Sequence, residues 1–131
     1  MTRFTLKAIV AATAIAASGA ALADITIGVI APLTGPASGL GIPVVNQAKL
    51  WPKSIAGEKL NVIVMDDATD PNQGVTHAKR FVTNDKVDVI MGSVATPVAA
   101  AIAQVAEESG TPQVAWSPVG VPAGKDKWLF R

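Results

Sequence analysis

The chain has 131 residues, half of them apolar, with a formal charge of +1 and no cysteine. That length supports one domain with a single core. The missing cysteine excludes disulfides, thiol nucleophiles and thiolate metal sites, and the lack of any basic patch argues against nucleic acid as a partner.

Arg3 and Lys7 precede an almost unbroken apolar run over residues 8–17, and small residues follow as far as Ala21-Leu22-Ala23. This basic, apolar, small-residue order predicts a secretory signal, residues 1–23, cleaved after Ala23. The run is well short of the ~20 residues that span a bilayer; an uncleaved anchor is the alternative. Export would place residues 24–131 in the periplasm as one domain with nine basic and ten acidic residues. The basic pI of the whole chain therefore belongs to the signal.

The first strand is expected at residues 24–30, which alternate and then turn continuously apolar, as a buried strand does. Residues 31–41 hold three Gly and two Pro and read as a loop. A helix is expected over 43–55, with Val44, Ala48, Leu50 and Trp51 near one face and Pro52 marking a kink or an end. Residues 60–65 form the next strand by their β-branched content. Asp70-Pro71 opens a helix running to about Asn84, which should bury Val75, Ala78, Phe81 and Val82. A third strand follows at 87–91. Gly92-Ser93-Val94-Ala95-Thr96-Pro97 is a loop feeding an alanine-rich helix that ends near Gly110, with Thr96 as N-cap and Pro97 as N1. Residues 113–116 form a fourth strand, and 127–131 begin a fifth. The βαβαβαβ order implies an α/β fold, a doubly wound parallel sheet with helices on both faces. There is no internal repeat. A chain stopping in strand-like Trp-Leu-Phe-Arg reads as truncated.

In such sheets ligands bind beyond the carboxyl ends of the strands, where the strand order reverses. The loops 31–41 and 92–97 flank that point. The second leads into a helix N-terminus, whose unpaired N–H groups and dipole favour an anion. Thr96, Ser93 and the amides of Val94 and Ala95 are thus candidates to hold a carboxylate. Alternatively, Thr96 only caps its own helix.

Other constellations carry less. Asp66, Asp67 and Asp70 lack calcium-loop spacing and read as a polar turn and helix start. His77, beside Lys79 and Arg80, is expected on a solvated helix face. Ser93, Ser117 and His77 lack the G-x-S-x-G elbow of a hydrolase. Gly35, Gly39 and Gly41 complete no phosphate-loop pattern. Trp116 and Trp128 read as core or pocket wall. No catalytic constellation, metal site or cofactor motif emerges.

The segments Ile27-Gly28-Val29-Ile30-Ala31-Pro32-Leu33-Thr34-Gly35-Pro36, Asp66-Asp67-Ala68-Thr69-Asp70-Pro71, Ile90-Met91-Gly92-Ser93 and Trp116-Ser117-Pro118 resemble the Leu/Ile/Val-binding protein family across residues 24–131. The resemblance implies a periplasmic, non-enzymatic protein with two α/β lobes that closes on a small solute and delivers it to an ABC permease in the inner membrane. It further implies that the second lobe is missing here. Thr96 matches the hydroxyl that takes the ligand carboxylate. Val119 and Val121, in the loop that also holds Ser117, match groups that engage the ligand ammonium, and Leu40 matches the residue covering the ligand side chain. Val121 lacks the hydroxyl usual for an amino-acid binder, and the segment between Leu50 and Leu60 lacks the usual Gly-rich connector. The expected solute is an amino acid or a related small carboxylate, with an aromatic or aliphatic acid lacking an α-amino group favoured by Val121. A sensor ectodomain, an exported hydrolase and a non-functional truncated product are the alternatives.

Overall fold

A computed structural model describes residues 24–131; the expected export signal lies outside the described residues. Six strands form one sheet in the order β2-β3-β1-β4-β5-β6. The first, β1 (Ile25–Ala31), is central and pairs in parallel with β3 (Glu58–Asp66) on one side and β4 (Val89–Gly92) on the other. Then β5 (Gln113–Val114) and β6 (Leu129–Phe130) extend the sheet in parallel from β4. These are the doubly wound α/β connections expected from the sequence.

Helices cover both faces. On one side, α2 (Pro71–Arg80) and α3 (Thr96–Ser109) bury Ala78, Phe81, Val98 and Ile102 against Ile30 and Ile90. On the other, α1 (Ser38–Ala48) sets Val45 against Ile27, Val29, Ala31 and Leu60. Successive side chains of β1 alternate between these two cores, which is why the strand is apolar throughout. A third cluster joins Ala99 and Ala103 of α3 to Ala115, Val119 and Leu129.

The expected helix over 43–55 is displaced. It runs instead over Ser38–Ala48, with Pro43 inside it, and Leu50 is 84 % exposed beyond its end. Reading glycine as loop caused the shift. Gly41 lies where α1 passes the Pro32 carbonyl so closely that a Cβ would overlap it, so the glycine serves packing. Residues 54–55, assigned to that helix, form the short strand β2 (Ser54–Ile55), antiparallel to β3. The turn between them puts Ala56 at φ 53° and Gly57 at φ 89°, the two positive values of a two-residue hairpin.

The other elements sit within a few residues of expectation. Asp70 caps α2 by accepting from Asn72 N at 2.9 Å, with Pro71 following. The helix continues past Arg80 as a wider π turn, Phe81–Asp85, closed by Lys86 in the left-handed region. At the start of α3 the N-cap is Ala95 rather than Thr96, with no side-chain cap, while Gly110 ends the helix at φ 71°.

Candidate solute-binding site

The chain leaves β1 toward β3 and returns across it to β4, so the loops after β1 and β4 diverge at the carboxyl end of the sheet. Three loops meet there, tied by side chains of residues 66–69. Asp66 accepts from Leu33 N (2.8 Å), Thr34 N (3.2 Å), Thr34 Oγ1 (2.7 Å) and Ala68 N (2.8 Å). Burial by itself would raise its pKa; the hydrogen bonds from the Thr34 hydroxyl and from the Ala68, Leu33 and Thr34 amides outweigh that and hold it at about 2. Thr69 Oγ1 accepts from Ala37 N at 3.1 Å, which ties the first loop to the turn before α2. His77, expected on a solvated face, is half-buried, with Nε2 2.9 Å from the Asp66 carbonyl.

Asp67 points into the protein and is fully buried. It accepts from Ser93 Oγ at 2.7 Å and Thr69 N at 2.8 Å. Burial pushes its carboxyl above the usual range despite these bonds. Ser93 Oγ, donating to Asp67, is left to accept from Ala95 N at 3.2 Å. Ser117 Oγ donates to the Ser93 carbonyl at 3.1 Å. The polar-turn reading of Asp66, Asp67 and Asp70 thus matches their bonds to backbone amides. Gly92, at φ 114°, leaves room for the Ile30 carbonyl, which any Cβ there would overlap.

The loop delivers the chain to the N-terminus of α3. With Ala95 N bonded to Ser93 and Pro97 lacking an N–H, the first helical bond runs from Ala99 N to Ala95 O at 2.9 Å. Among the described residues, Thr96 N, Thr96 Oγ1 and Val98 N have no hydrogen-bond partner. Thr96 is exposed. Thr96 N and Thr96 Oγ1, on an exposed residue at a helix N-terminus with no carboxylate in the first turn, suit an anion, whereas Val98 is fully buried and its amide does not reach the opening.

The structure brings Ser93, Val94, Ala95, Thr96 and Ser117 together at this end of the sheet. Ser93 and Ser117 are buried with their hydroxyls committed to the protein, so they shape the loop rather than face the opening. Leu40, on the first turn of α1, is 64 % exposed. Val119 is buried in the third cluster, and its carbonyl accepts from Arg131 Nη1 at 3.0 Å. Val121 lines a groove of about 360 Å³ beside Ala100, Ala103 and Gln104 of α3. Trp116 packs with the α1-side core. Among the described residues no cluster of acidic or histidine side chains could hold a metal ion.

Sequence reasoning missed Gln113 and the inward role of Asp67. Gln113 is fully buried in β5, and its Nε2 donates to Gly92 O at 2.8 Å and Ala99 O at 3.1 Å. The signal was there: an uncharged amide inside a short buried strand needs a polar reason.

Residues 24–131 match the family profile described as periplasmic binding protein. The chain belongs to that family. Among curated members of the family, it is 38 % identical over 125 residues to Leu/Ile/Val-binding protein homolog 3 of Brucella melitensis, covering 88 % of this chain and 33 % of that one. A Leu/Ile/Val-binding protein of Rhizobium johnstonii is 40 % identical over 116 residues, 84 % of this chain and 31 % of its own. The chain thus spans about a third of the length of the curated relatives it matches. An extracellular ligand-binding receptor from Rhodopseudomonas palustris HaA2 superimposes with TM-score 0.79 at 43 % identity, covering 82 % of this chain and 30 % of that one. A solute binding protein of an ABC transporter from Rhodopseudomonas palustris BisB5, in complex with 3,4-dihydroxybenzoic acid, gives 0.73 at 30 % identity, over 81 % of this chain and 31 % of its own. The relatives are binding proteins, not enzymes.

Proposed function

We propose that the chain forms the first lobe of an extracytoplasmic solute-binding component of an ABC importer, exported by residues 1–23. Its solute is a small carboxylate. The free donors at the start of α3 carry this reading. Thr96 N and Thr96 Oγ1 hold the carboxylate, and Leu40 covers the apolar body of the solute. A second lobe closes over it, and the loaded protein docks on a permease in the inner membrane.

The dipole contributes roughly 0.3–1 kcal/mol at an exposed site, and each charge-assisted hydrogen bond about 1.5–3 kcal/mol. An acid without an α-amino group is favoured. Val121 offers no hydroxyl to an ammonium. The dihydroxybenzoic acid bound by the 30 %-identical relative supports the same class. The names of the Leu/Ile/Val-binding relatives favour a second reading, an aliphatic amino acid.

A thermal-shift panel pairing leucine and phenylalanine with 4-methylpentanoate, 3,4-dihydroxybenzoate and benzoate separates the two. We expect the desamino acids to stabilise more. Stronger stabilisation by the amino acids would replace the first reading with the second.

A further inference from the structure

The segment that ends in the free donors of α3 runs from Gly92 to Ala99, and one side chain grips it at both ends. Gln113 Nε2 donates to Gly92 O at 2.8 Å and to Ala99 O at 3.1 Å. Between these points the loop is pinned from other directions, by Asp67 on the Ser93 hydroxyl and by Ser117 on the Ser93 carbonyl.

Gln113 is an odd choice for stability. It is fully buried, and its Oε1 has no partner. Turning the amide over would set that oxygen against two carbonyl oxygens, so the orientation is fixed by its surroundings. Methionine would fill the same space and remove the unpartnered Oε1, but it would also take the side-chain donor from Gly92 O and Ala99 O. What the amide adds is geometry. Two bonds from one nitrogen fix how far the end of β4 stands from the first turn of α3, and thereby where Thr96 aims its N–H and hydroxyl.

We infer that Gln113 is a positioning residue of the solute site, clamping Gly92 to Ala99 so that the free donors of α3 converge on the solute carboxylate. This rests on the carboxylate reading of that site. Preorganised donors lose effect steeply when displaced by as little as 1 Å, so the clamp should be felt by the carboxylate and not by the rest of the solute.

The test compares Gln113→Met with the wild type in two ways. In NMR amide exchange, Ala95 and Ala99 are expected to exchange about ten-fold faster in the variant, while Val29 and Ile90 in the central strands keep their protection. In calorimetry, 3,4-dihydroxybenzoate is expected to weaken about ten-fold relative to its neutral amide, 3,4-dihydroxybenzamide. Equal weakening of both compounds would overturn the positioning role, and so would unchanged exchange at Ala95 and Ala99. Wild-type protein that binds the amide as tightly as the acid would instead overturn the carboxylate reading, and the exchange measurement would still decide whether Gln113 holds the loop.

Discussion

Thr96→Ala separates binding from folding at one atom. The Thr96 hydroxyl is exposed and has no hydrogen-bond partner among the described residues, and Ala95 rather than Thr96 occupies the N-cap. Deleting it strands no buried group and removes no cap, so the expected change in stability is within about 0.5 kcal/mol. Alanine is also the better helix former at that position. For a bound carboxylate the same deletion removes one charge-assisted hydrogen bond of about 1.5–3 kcal/mol, which is roughly a ten- to hundred-fold loss of affinity. The Thr96 amide and the helix dipole remain, so binding should weaken rather than vanish. Calorimetry with the acid that stabilises best, together with a thermal melt of the unliganded protein, reads both quantities. A clear drop in melting temperature with unchanged affinity would return Thr96 to a structural role and refute this use of the α3 N-terminus.

The core and the acid side give two more expectations. Phe81→Ala, at a fully buried ring in the α2-side core, should cost about 3–5 kcal/mol by denaturant titration; a loss under about 1 kcal/mol would mean that the described packing is wrong. Asp66 has its carboxyl lowered from 3.8 to about 2 in the folded protein, so its contribution is present above pH 4 and is lost as pH falls from about 4 to about 2. Discounted for partial exposure, that amounts to about 1–2 kcal/mol, and Asp66→Asn should flatten this limb of the stability curve. An unchanged limb would show that Asp66 does not hold the first loop.

Much of the fold was legible because periodicity and punctuation agreed. Asp70-Pro71 marked the start of α2, Gly110 marked the end of α3, and the β-branched runs marked the central strands. The region from residue 38 to 57 was not, because glycine has two uses. Gly41 lets α1 approach Pro32, a contact between segments that a local reading treats as a flexible loop. The hairpin at Ala56-Gly57 was hidden for a related reason, since alanine rarely adopts φ 53° and so gives no turn signal. At the site, spacing pointed to the start of α3 and to Thr96. It could not separate hydroxyls that face the opening from those spent inside. Ser93 and Thr96 lie three residues apart, yet one is locked to Asp67 and the other is free. That distinction depends on Asp67, 26 positions before Ser93.

The ties from Asp66, Asp67 and Thr69 to all three loops also sort the residues of this rim by how freely they can change. Asp66, Asp67, Ser93 and Gln113 each hold two or more partners, at least one of them distant in the chain, so altering one disturbs several segments. Leu40 and Thr96 stand outside that web on fixed backbone. Under the proposed solute-binding role, a lobe built this way exchanges one solute for another through its outward side chains while the frame beneath them stays as it is.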